Sequence, residues 1–207
     1  MSASASASAG ATFLPGSVGH SLTLLSGVWH DHVEVFDLAG APLAEDTESG
    51  TPGSAPFDNL VYIDFDGERY QQTNVTFRGR PLHSRSFSGT LREGVLVFDR
   101  LGPDDPEHVG VSGGPGVLIF NARKVTEAWQ RYLEPDFIRL IGPGQRTRST
   151  LLYRGGVAVR TLTAHGYKLA PTAAHRLPWD PRGPEGPVHE ARRDTKVFQK
   201  APTKDSP

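Results

Sequence analysis

Apolar and polar residues alternate along the middle of this chain with the two-residue period of β-strands. Gly27 to Asp37 reads Gly-Val-Trp-His-Asp-His-Val-Glu-Val-Phe-Asp, rich in β-formers and free of breakers. A loop of Ala, Pro, Glu, Ser and Gly then runs to residue 56. Leu60 to Phe65 and Tyr70 to Phe77 read as strands around Asp66-Gly67, a favoured tight-turn pair. Ser84 to Leu91 and Val95 to Asp99 flank Glu93-Gly94 in the same way. Gly116 to Phe120, Asp136 to Ile141, Arg146 to Tyr153 and Val157 to His165 complete the series, the last two joined by Gly155-Gly156. One helical piece is predicted, Lys124 to Leu133, ended by Pro135.

Nine strands in sequence, most of them joined by short turns, make a meander. A meander with one apolar face must close or pack on itself to hide its edges. The expected fold is therefore all-β: an antiparallel up-and-down barrel of about eight to ten strands with little helix, alternate residues pointing inward. The alternation is not clean. Trp29, Val33 and Val35 share a face with Asp31, and Val75 and Phe77 share one with Gln71 and Thr73. An interior that mixes apolar and polar side chains suits a ligand cavity; a register wrong by one residue in some strands gives the same pattern.

Composition refines the boundaries. Apolar residues are 37 % of the chain, and Gly (23) and Pro (17) are abundant, which favours turns over long helices. Residues 1–19, a Ser-Ala repeat at first, read as a flexible leader, 20–170 as the barrel and 171–207 as a weakly ordered tail. Seven of the seventeen prolines fall in that tail. A formal net charge of -1 gives no case for nucleic acid. The absence of cysteine excludes disulfides and thiolate sites. With no apolar run of membrane-spanning length and no secretory signal pattern, membrane insertion is not expected, and a cytoplasmic location is.

Gly27-Val28-Trp29 resembles the lipocalin and calycin opening motif, Gly-x-Trp at the start of the first barrel strand. Further pieces are Asp64-Phe65-Asp66-Gly67-Glu68-Arg69-Tyr70, Gly89-Thr90-Leu91 with Leu96-Val97-Phe98-Asp99, and Arg146-Thr147-Arg148-Ser149-Thr150 before a Gly-Gly hairpin. Across residues 20–168 these are similar to a lipocalin-like family of unknown function related to the cyanobacterial phycobiliprotein chromophore lyases. The resemblance implies a calycin barrel whose Trp plugs the closed end, with an Arg from a late strand lying across it. Arg146 and Arg148 are both candidates for that Arg. It also implies room for an apolar or tetrapyrrole-sized ligand, and carries over no catalytic residue.

Several side chains are candidates for chemistry. His30, His32 and Glu34 lie at alternate positions of one strand and so share a face. Two imidazoles and a carboxylate in that pattern can ligate a metal, with His83, His108 or His165 as a later ligand. The plainer alternative is a solvated outer face. Asp64, Asp66 and Glu68 fit a turn rather than a calcium loop. Gly113-Gly114-Pro115-Gly116 and Gly142-Pro143-Gly144 lack the Lys-Ser/Thr of a phosphate loop, and no Gly-x-Ser-x-Gly elbow is present. Arg85, Arg139, Arg148 and Arg160 fall on predicted strands, and any that points inward can pair with a ligand carboxylate.

The leading expectation is thus a lipocalin-like binding protein for a small apolar or amphipathic ligand, anionic or tetrapyrrole-like in its finer form. Its ligand-binding residues would be Trp29, Phe77, Phe87, Arg139 and Arg148. A metal-dependent or chromophore-handling, lyase-like barrel enzyme is the second reading, and a packed barrel serving as a protein-interaction module the third. Catalytic residues and cofactor are not assigned, and a homodimer through an exposed strand face stays open.

Overall fold

A computed structural model describes residues 12–43, 56–77, 81–100, 102, 106–124, 135–154 and 157–170. Ten strands run in chain order: β1 (Gly27–Phe36), β2 (Phe57–Phe65), β3 (Arg69–Phe77), β4 (Pro81–Arg92), β5 (Val95–Phe98), β6 (Glu107–Gly114), β7 (Val117–Lys124), β8 (Asp136–Gly142), β9 (Gln145–Arg154) and β10 (Val157–Lys168). Each pairs antiparallel with the next, and β10 pairs with β1, so the sheet closes into a barrel. Closure leaves no open edge, which answers the exposure problem that a meander creates.

The all-β barrel predicted from the alternation is what forms. The strand absent from the sequence reading is β6, Glu-His-Val-Gly-Val-Ser-Gly-Gly, whose three glycines blur its pattern. The aromatic ring of Phe120 explains one of them: a Cβ on Gly110 would stand 2.8 Å from it. Lys124 closes β7, and the remainder of the predicted helix, 125–133, lies outside the described residues.

A helix forms elsewhere. α1 (Val18–Leu25) begins inside the stretch expected to be a leader. Ser17 caps it, its hydroxyl accepting from the His20 amide at 3.2 Å. Val18, Leu22 and Leu25, at helical spacing, bury almost completely against the barrel. They join Trp29, Val61, Ile63, Tyr70, Leu96, Leu118 and Ile138 in one core cluster at the end of the barrel where β1 starts. Tyr70, Phe98 and Phe120 meet there edge to face, with centroids 5.3–6.4 Å apart. One end of the barrel is therefore filled, with a helix laid over it. No helix among the described residues is long and apolar enough to cross a membrane.

Candidate functional site

The site follows from which residues face inward. On β1, buried Trp29, Asp31, Val33 and Val35 alternate with exposed His30, His32 and Glu34. Directly paired residues on neighbouring strands share a face, so the register carries this assignment round the barrel. Trp29 is opposite Val61, then Asn74, then Arg85. Gly27 is opposite Ile63, then Gln72, then Phe87. In the other direction Asp31 meets Gly166 and Arg146, Val33 meets Ala164 and Arg148, and Val35 meets Leu162 and Thr150, which pairs with Asp136.

At the floor, Trp29 is fully buried and its indole N–H donates to the Leu25 carbonyl at 2.7 Å, tying helix to barrel. The Arg146 guanidinium carbon stands 4.5 Å from the Trp29 ring centroid and the Lys168 ammonium 5.6 Å. Lys168 also donates to the Leu24 carbonyl at 3.0 Å. Of the two candidates for the stacked arginine, it is Arg146 that lies over the Trp. Burial, and secondarily the charge of Arg146, pull the Lys168 pKa down.

Above the floor lies an ion network. Arg146 donates to both Asp31 oxygens, from Nε at 3.0 Å and from Nη2 at 2.8 Å, and both side chains are fully buried. Arg148 bridges Asp31 at 3.2 Å and Asp136 at 2.5 Å, and Thr150 donates to the other Asp136 oxygen at 3.1 Å. Burial by itself would raise the Asp31 pKa, but the charges and hydrogen bonds of the two arginines outweigh it and hold the carboxyl below its usual range. For Arg148, too, the carboxylates prevail over burial, and its pKa rises. Arg146 goes the other way, because burial dominates. Gly166 makes the network possible: a Cβ there would fall 2.2 Å from Asp31 Oδ1 and 2.8 Å from Arg146 Cγ. Across the interior a second polar row climbs β3. Tyr70 donates to Gln72, and Gln72 donates to Asn74 at 2.7 Å. Burial raises the pKa of the Tyr70 hydroxyl, so it stays protonated and able to donate.

Toward the opposite end the inward side chains are no longer sealed. Phe57, Asn59, Phe87, Leu152 and Leu162 are only half-buried and Arg85 is exposed. The Arg85 guanidinium lies 5.5 Å from the Phe87 ring centroid. Inward side chains that still meet solvent mark this end of the interior as unsealed. Buried donors and acceptors without partners stand in the network and wall: Arg146 Nη1, Arg148 Nε and the Asn59 oxygen. Besides the Arg146–Asp31–Arg148–Asp136 network, the register turns Arg85, Arg160 and Lys168 inward.

Of the residues expected to bind ligand, Phe87 and Arg148 face this interior, and Trp29 forms its floor. Arg139, opposite Val117 and Thr147, points outward and is exposed, because its neighbour Ile138 takes the inward position. The Phe77 side chain lies outside the described residues. The His30, His32 and Glu34 face is the outer wall. There His32 Nδ1 and His30 Nε2 lie 3.0 and 3.3 Å from one oxygen of Asp58 on β2, so Asp58, not Glu34, is the carboxylate they meet. Among the described residues no group of three or more His, Asp or Glu side chains is placed to hold a metal ion. Asp136, Thr150 and Gly166 are not singled out as site residues by the sequence, although glycine in a strand is itself a sign of close approach.

No protein-family model matches this chain, and no curated protein matches it. Solved structures do share its architecture. A protein of unknown function from the DUF3598 family of Nostoc punctiforme superposes with a TM-score of 0.55 at 16 % identity, over 72 % of this chain and 49 % of that one. The chain thus spans about half the length of that protein. An S-type phycobiliprotein lyase from Guillardia theta superposes with a TM-score of 0.52 at 12 % identity, over 74 % of this chain and 93 % of the lyase. At such identities the likeness is one of fold: this chain is a closed antiparallel barrel similar to those of a DUF3598 protein and a phycobiliprotein lyase.

Proposed function

We propose that the barrel binds a small amphipathic anion in its open half. One observation carries the reading: Phe87 and Arg85 face inward yet remain solvent-accessible, above a sealed floor. Phe57, Phe87, Leu152 and Leu162 offer apolar surface, worth roughly 25 cal/mol for each Å² of ligand they cover. An anionic group at the ligand's polar end would meet inward guanidinium groups, Arg85 and Arg148. Arg148, 15 % exposed, offers its guanidinium to it. A tetrapyrrole-sized molecule is the finer form of this proposal, and the likeness to the phycobiliprotein lyase supports it through the fold alone.

The test is a titration with 1-anilinonaphthalene-8-sulfonate, an anionic amphiphile, beside its uncharged relative N-phenyl-1-naphthylamine. The folded protein is expected to bind the anion saturably at one site, and more tightly than the neutral probe. Phe87→Ala and Arg85→Ala should each weaken it about tenfold, the effect of about 1.4 kcal/mol. Non-saturable binding, equal affinity for both probes, or indifference to both substitutions would overturn the proposal.

A further inference from the structure

Outward side chains of this barrel are of two kinds. On β6, β7 and β8, Val111, Ile119 and Phe137 are opposite one another on the outer face, and Val111 and Phe137 stand 38 % and 42 % exposed. That is the ordinary state of an apolar side chain on an uncovered wall. Five strands round the barrel from β8 lies β3. There the register puts Tyr62 of β2, Thr73 and Val75 of β3 and Ser84 of β4 on the outer face, in line with Val28 and exposed His30 of β1. Yet Val75 is 0 % exposed, and Tyr62, Thr73 and Ser84 are buried with it. A side chain that points out of a convex sheet loses its last contact with water only beneath a second layer. The described elements supply none: β3 packs on its sheet neighbours β2 and β4, α1 joins the floor with the inward Val61 and Ile63, and the turn at 37–43 stays beside β1.

We propose that this layer is a segment of the chain itself, residues 171–187, with Leu177 and Trp179 seated over Tyr62 and Val75. Composition selects it among the segments outside the described residues. Cover for Val75 needs large apolar side chains, and 1–11, 44–55 and 78–80 contain no branched aliphatic or aromatic residue. Between 101 and 105 only Leu101 is of that kind, and 125–134 joins β7 to β8, away from this wall. The tether selects it as well. The Leu169 N–H donates to the Val28 carbonyl at 2.8 Å, and Val28 is opposite Tyr62, so the chain leaves the barrel one strand from the covered wall. Reach is ample. Pro171, Pro178, Pro181, Pro184 and Pro187 favour an extended chain of about 3.1 Å per residue, so Leu169 to Trp179 can span about 30 Å. From β1 to β3 is about 10 Å. A proline-rich strap also suits a sheet whose backbone is already paired, since it docks through side chains alone.

The experiment puts one thiol beneath the layer, as Val75→Cys in the full chain. It is expected to be inert to a small thiol reagent under native conditions. Leu177→Asp with Trp179→Asp in the full chain should raise its rate at least tenfold, and ending the chain at Ala170 should do the same. A Leu118→Cys thiol, inside the floor, should stay inert in both backgrounds and so report that the barrel has held. Should ending the chain unfold the barrel, the aspartate pair answers by itself. A Val75→Cys thiol that reacts as fast in the unaltered chain as in the aspartate variant overturns the inference. So does one that stays inert in the folded aspartate variant, a result that would assign the cover to another segment. The naphthalene sulfonate titration reads the interior and is independent of this outcome.

Discussion

The two halves of the barrel interior are built on opposite terms. At the floor, Trp29, Tyr70, Leu96 and Leu118 are at most 1 % exposed and are sealed by α1. In the open half, inward residues such as Phe87 and Leu152 keep contact with solvent and Arg85 is exposed. The ion network between them is neutral in itself, two arginines against two aspartates, and divides the filled half from the open one. The difference teaches that the barrel invests its packing at one end and leaves surface unsatisfied at the other. Stability should live in the floor and binding in the hollow, and substitutions can pull the two apart.

The largest effect is expected at Asp31. Asp31→Ala leaves Arg146 buried without its counter-charge and should cost about 3–5 kcal/mol in urea unfolding. Replacing both partners, Asp31→Leu with Arg146→Met, should return much of that loss, because a buried pair exchanged for apolar groups is often neutral. Acid should act on the same residue more gently. The Asp31 pKa is lowered on folding, so its stabilisation is fully present above its unfolded value, about 3.9. It is lost as pH falls from there through the folded value. Chemical unfolding measured from pH 6 down to pH 2 should show that fall, and Asp31→Asn should flatten it.

Gly166→Ala comes next, because its new methyl would meet Asp31 and Arg146 at less than contact distance. A loss of about 1–3 kcal/mol is expected by the same assay. Phe87→Ala should move stability least, by about 1 kcal/mol or less, while it weakens the anionic probe tenfold. Were Phe87→Ala to destabilise as much as Asp31→Ala, the contrast between the two halves would fail.

Much of the floor was legible in the chain. The Gly27-Val28-Trp29 strand start and the strand alternation after it lie where the pattern puts them, and an arginine from Arg146-Thr147-Arg148 lies over the Trp as the resemblance implies. Asp31 showed itself as a charge on an apolar face, but its partners are 115 and 117 residues away and only the strand register brings them in. Arg139 and Arg148 were equivalent in sequence. The outward side of β8 takes one and the inward side of β9 the other, and a one-residue shift reverses such an outcome. The helix α1 was hidden because eight residues including Gly19 and Thr23 have weak intrinsic helicity, and packing against the floor stabilises it instead. Which end of the interior stays unsealed is a matter of how far side chains reach across a closed sheet, which no local pattern records.

The chain contains no cysteine, so a single introduced thiol reports on one position alone. The most direct measurement compares Phe87→Cys with Leu118→Cys in their reaction with a small thiol reagent under native conditions. The Phe87→Cys thiol should react at a rate close to that of an exposed thiol, and be protected by bound anilinonaphthalene sulfonate, while the Leu118→Cys thiol stays inert until the protein unfolds. Equal inertness of the two would mean that the barrel is filled from end to end, and that no hollow exists for a ligand to enter.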